Sequence, residues 1–63
     1  MYYILKLDDR LQHIVDFDRD EFNNKRCFEN KNTAIDYANA MSEKSRYFSY
    51  YALDAKFPEI VQD

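Results

Sequence analysis

The sequence predicts a small α+β fold: a three- or four-stranded, mainly antiparallel sheet with one helix packed on a face, in the order β-β-β-α-β. Three observations predict it. Residues 28–45 form the one long stretch with helical periodicity, with Ala34, Ile35, Tyr37, Ala38 and Met41 on one arc and Asp36, Asn39, Glu43 and Lys44 on the other. Residues 2–7 and 46–54 are short and rich in Tyr, Phe, Ile and Leu, a composition that suits strands. The chain has 63 residues, which is one domain over 1–63 with one small core.

Taken in order, residues 2–7 alternate Tyr3, Leu5 and Leu7 against Tyr2, Ile4 and Lys6, and the first set is expected in the core. Asp8, Asp9 and Arg10 then turn the chain. A second strand over 11–17 alternates Leu11, His13, Val15 and Phe17 against Gln12, Ile14 and Asp16. Residues 18–24 hold turn formers and no strand pattern, so they read as a loop, with a helical turn pinned by Phe22. A short third strand over 25–29 brings Phe28 to the core. Asn30 is the N-cap of the helix, with Asn32 the alternative, because a short polar side chain accepts from the free N–H groups of the first turn. Lys44 and Arg46 suit the negative end of the helix dipole.

Residues 46–54 carry the strongest strand signal, with Tyr47, Ser49, Tyr51 and Leu53 facing one way and Phe48, Tyr50 and Ala52 the other. A helix covers only one of these sets. The tail, 55–63, is expected to fray or to dock as a short helix that begins at Pro58. With no glycine in the chain, a residue at positive φ must come from elsewhere, and Asp8-Asp9 and Asn23-Asn24 are the expected substitutes.

Composition narrows the chemistry. Cys27 is the single cysteine, so no internal disulfide forms, and with His13 as the one histidine a four-ligand zinc site is not expected. Asp16, Asp18 and Asp20 have the spacing of the first ligands of a calcium loop. The sixth position is Glu21 where glycine is needed and the twelfth is Cys27 where glutamate is needed, so a solvated acidic loop is expected instead. Cys27 and His13 have no motif around them that would make a nucleophile and base. The expectation is a non-enzymatic chain without cofactor or metal. No apolar run approaches eighteen residues and no basic segment precedes an apolar one near residue 1, so a cytoplasmic location without membrane contact is expected. Bases stack on Tyr and Phe, so a single-stranded nucleic-acid binder is the third reading, ranked last because the net charge is −3 and the aromatic strand lacks interleaved cations.

What remains is protein recognition. Six Tyr and five Phe are many for this length, and tyrosine joins a large rigid ring to a polar tip, which interfaces favour. Tyr2, Tyr47, Tyr50 and Tyr51 lie on strands and are candidate contact residues. Asp16, Asp18, Asp20 and Glu21 form an acidic loop able to steer a basic protein, and a second copy of the chain is the alternative partner. Phe28, the cap at Asn30, Ala34, Ala38 and Met41, followed by the Tyr-rich strand, resemble over residues 26–53 the strand–helix–strand core of small bacteriophage α+β proteins. That resemblance implies a protein that binds and inhibits a host enzyme or defence factor in the host cytoplasm. It assigns no site residue.

Overall fold

The structure, a computed structural model, describes residues 1–61, with the side chains at positions 14 and 15 left aside. Its elements are β1 (Tyr2–Asp8), β2 (His13–Phe17), β3 (Cys27–Phe28), α1 (Lys31–Lys44), β4 (Phe48–Asp54) and β5 (Glu59–Val61). One helix lies on an open, antiparallel sheet of five strands, with β1 and β4 at its centre. The α+β class and the single helix on a face are as predicted. The facing expected of Ile14 and Val15, and the last two residues of the expected tail, lie outside the described residues.

Register explains the sheet. All seven residues of β1 pair with β4, from Tyr2 opposite Asp54 to Asp8 opposite Phe48. On the other side of β1 the partner is divided. β2 pairs Phe17 with Leu5 and β3 pairs Cys27 with Tyr3, while the Asp18 N–H donates to the Ile4 carbonyl at 2.7 Å. β2, Asp18 and β3 therefore act as one edge strand, and residues 19–26 leave it and return one rung later. The tail forms neither a frayed end nor a helix over its described part. It turns at 55–58 and returns as β5, pairing Val61 with Ala52.

The helix behaves as its sequence suggests. Asn30, with extended backbone, accepts from Thr33 N at 3.1 Å, which satisfies one free donor of the first turn. The helix ends where Ser45 adopts extended backbone, and its N–H still reaches the Met41 carbonyl at 3.1 Å. Ala34, Ile35 and Ala38 are buried, and the two alanines let the helix lie close to the sheet.

The face that the helix covers is the reverse of the one expected for the first strand. Ile4, Tyr50 and Ala52 form the core with the three helix residues, while Tyr2, Phe28, Tyr37, Met41, Phe48 and Val61 pack around it. The set containing Tyr2, Ile4 and Lys6 thus faces the helix, and Tyr3, Leu5 and Leu7 face away from it. Lys6 is tolerated there half-buried, because its Nζ sits 4.3 Å from the centroid of the Phe48 ring, a cation–π contact. On β4 the inward set is Phe48, Tyr50 and Ala52.

The outer edge of β4 is closed by two kinds of partner. Beyond β5 its edge groups meet serines of the helix end. Tyr50 N donates to Ser42 Oγ at 2.8 Å, Ser42 Oγ donates to the Tyr50 carbonyl at 3.2 Å, and Phe48 N donates to Ser45 Oγ at 3.0 Å. The left-handed residues are Gln12 (φ 59°) and Asn23 (φ 66°). Asn23 is one of the expected substitutes. The first turn uses Gln12, since Asp8 remains in β1 and its carboxylate accepts from Arg10 N at 2.9 Å and Leu11 N at 3.3 Å.

Candidate functional site

With α1 on one side, alternation leaves the opposite face of the sheet bare among the described residues. Tyr3, Leu5, Leu7, Phe17, Tyr51 and Leu53 point there, because Leu5 is in register with both Phe17 and Tyr51, and Tyr3 with Leu53. Leu5 is buried by its neighbours, and the other five are half-buried. The rings of Tyr3 and Phe17 meet edge to face at 5.8 Å and 76°. Ile60, opposite Leu53, extends the patch and is 45% exposed.

Charge is confined to the ends of this face. At the Tyr3 end, Lys25 Nζ lies 4.3 Å from the Phe17 ring centroid and 5.8 Å from that of Tyr3. At the Leu7 end, Asp9 Oδ1 accepts from Ser49 Oγ at 2.6 Å, and the Arg10 guanidinium, paired with Asp8 at 3.3 Å, lies over the neighbouring Tyr47 ring. Between them the strand positions are apolar. Such a face suits another apolar surface better than a phosphate backbone, which needs a row of cations.

The second feature is the excursion over 19–26. Its neck is held by a bridge between Arg19 and Lys25 and by Arg26 N donating to the Asp18 carbonyl at 2.9 Å. At its tip the Asp20 carboxylate accepts from Phe22 N at 2.9 Å and Asn24 N at 3.0 Å. The tip is thereby ordered by its own backbone, with Asn23 in the left-handed region. No helical turn forms, and Phe22 is not pinned: it is 76% exposed.

The predicted contact residues separate under this geometry. Tyr51 lies on the bare face. Tyr50 is 8% exposed and belongs to the core beneath α1, where burial raises its phenol pKa, aided by the charge of Asp18. Tyr2 packs against the same core from the helix side. Tyr47 lies just before β4, 46% exposed, with the Arg10 guanidinium 4.6 Å from its ring centroid.

The acidic loop is more internally balanced than its composition implies. The Asp16 carboxyl is held below its ordinary range mainly by the Phe17 N–H, at 2.6 Å, with Arg19 adding a weaker pull at 3.5 Å. Asp18 Oδ2 accepts from Arg26 Nε at 3.1 Å and from the Tyr37 hydroxyl at 2.7 Å. Asp20 caps the tip. Glu21 alone of the four predicted acids has no ion pair or side-chain hydrogen bond among the described residues.

Burial and the Asp18 hydrogen bond push the Tyr37 phenol up to about 12. The three side chains Asp18, Arg26 and Tyr37 tie the neck of the excursion to the helix, and the Arg26 guanidinium lies 5.3 Å from the Tyr37 ring centroid.

Cys27 and His13 are placed at opposite ends of β1, in register with Tyr3 and Asp8 respectively. Five residue steps separate those rungs, about 17 Å at strand rise. A groove of about 400 Å³ runs between α1 and the edge of β4, lined by Ile35, Ala38, Asn39 and Val61, and its Ser42 hydroxyl is committed to the Tyr50 backbone. No helix is long and apolar enough to cross a membrane among the described residues.

Neither Phe22 nor the Lys25–Asp9 polarity of the bare face is among the contact residues expected from the sequence. Phe22 had a signal: an isolated ring between Glu21 and the turn pair Asn23-Asn24, without an apolar neighbour to share a core with. Comparison with protein-family models, with curated proteins and with solved structures returned no match.

Proposed function

We propose that this chain is a non-enzymatic protein-binding module that works by occlusion, with the bare sheet face and the excursion over 19–26 as its contact surfaces. The observation that supports this best is the bare face, on which Tyr3, Leu7, Phe17, Tyr51 and Leu53 stand half-buried with no element over them among the described residues. A domain this small gains stability from every apolar group it removes from water, at about 25 cal/mol per Å². Leaving such a patch open runs against folding economy and suits binding.

The excursion adds a preformed contact. A partner able to take Phe22 beside Glu21 needs an apolar recess with a cation at its rim. A bacteriophage protein that inhibits a host enzyme or defence factor, the expectation drawn from resemblance, is compatible with this chemistry, and the compartment would then be the host cytoplasm.

The test is affinity capture from bacterial lysate with the wild type, Tyr51→Lys and Phe22→Ala, each checked for native circular dichroism. Loss of a captured protein in either variant supports the reading. Identical capture by all three, or capture of nothing by any together with no self-association, overturns it.

A further inference from the structure

We infer that the bare face is occupied by a second copy of this chain, packed face to face about a twofold axis that runs across the strands at the level of Leu5. This rests on the reading above and names the occupant of the face.

The polarity of the face carries it. Lys25 stands over Phe17 and Tyr3 at one end, and Asp9 stands beside Ser49 and Leu7 at the other, with apolar strand positions between. A twofold axis lying between two such faces and crossing the strands sets the Tyr3 end of one copy against the Leu7 end of the other. Lys25 then meets Asp9 of the second copy, and symmetry makes this contact twice. An axis along the strands would oppose like charges at both ends. Asp9 uses only Oδ1 for Ser49, so Oδ2 is open to the incoming ammonium. Lys25 and Asp9 are thus complementary across the axis, with apolar strand positions between them. An isologous interface requires that property.

Size sets the strength. Four strands spaced about 4.8 Å apart and seven residues of about 3.3 Å rise give a flat face of roughly 400 Å² per copy, more once side-chain relief is counted. That is about half the roughly 800 Å² per partner of a standard specific interface, the size of a weak, transient contact. The dimer is accordingly weak, in exchange with monomer.

Sedimentation equilibrium of the full chain from low micromolar to millimolar concentration tests this. The wild type is expected to move from a species near 7.7 kDa to one of twice that mass. Tyr51→Lys, which sets a charge beside Leu5 near the axis, is expected to stay monomeric while keeping native circular dichroism. Lys25→Glu and Asp9→Lys are each expected to weaken the dimer about tenfold, and the double variant to recover it.

A wild type that is monomeric throughout overturns the inference, as does a dimer indifferent to Tyr51→Lys or a double variant no tighter than the singles. A monomer that captures a different protein through Tyr51 overturns the second copy as occupant and leaves the protein-binding reading standing.

Discussion

Ser42 of α1 satisfies both backbone groups of Tyr50 on the outer edge of β4, accepting from its N–H at 2.8 Å and donating to its carbonyl at 3.2 Å. One hydroxyl thereby replaces a neighbouring strand at that rung. Ser42→Ala leaves a half-buried donor and acceptor unmet, and the expected loss is about 1–3 kcal/mol, read as a lower denaturant midpoint at unchanged slope. The same variant is expected to aggregate faster near its unfolding midpoint, because the opened rung is a template for strand addition. Ser42→Thr, which keeps the hydroxyl, should restore most of the loss.

The Tyr37 phenol, raised to about 12, binds its proton more tightly folded than unfolded. Its contribution to stability is therefore complete below the unfolded value near pH 10 and is lost as pH rises through about 12. Phenolate absorbance followed against pH should show a late component that disappears in Tyr37→Phe. That variant should also unfold at a lower denaturant concentration at neutral pH, by about 0.5–1.5 kcal/mol for the hydrogen bond lost to Asp18.

Asp8 gives the opposite limb. Its carboxyl is held below the ordinary range, chiefly by the Arg10 side chain, against the opposing effect of burial, with the N–H groups of Arg10 and Leu11 adding to the hold. A depressed value means stability present above the unfolded pKa near 3.9 and lost as pH falls through the folded one. The thermal midpoint of the wild type should drop over that acid window. Asp8→Asn should start lower at neutral pH and fall less steeply.

Gln12 occupies the left-handed region without being glycine or asparagine. Gln12→Gly removes the Cβ clash and is expected to stabilise by roughly 0.5–1 kcal/mol, net of the added freedom of the unfolded chain. Asn23→Gly should change little, since asparagine tolerates that conformation. Thermal unfolding of the two variants side by side reads the difference.

The helix, its cap at Asn30 and the β4 pattern were legible because each is a local property of spacing and residue type. The covered face of β1 was not, because both alternate sets carry apolar residues and the polar marker, Lys6, rests its ammonium on the Phe48 ring. β5 was hidden by its length and by Pro58, which reads equally as the start of a helix. At the candidate site, the choice between Tyr50 and Tyr51 depended on which side α1 lands, a tertiary fact. The acids of 16–21 looked free in sequence, yet the partners of Asp18 come from Arg26 and from Tyr37, nineteen positions away.

The return of the chain to β1 one rung after leaving it has a further consequence. Asp18 stands beside Ile4 and Cys27 beside Tyr3, so residues 19–26 form an insert whose two junctions are already neighbours in the sheet. Its length and sequence can change without shifting any strand register, as a tool head can be exchanged on a fixed handle. The pairing of the five-stranded frame is therefore independent of what the tip of the insert carries.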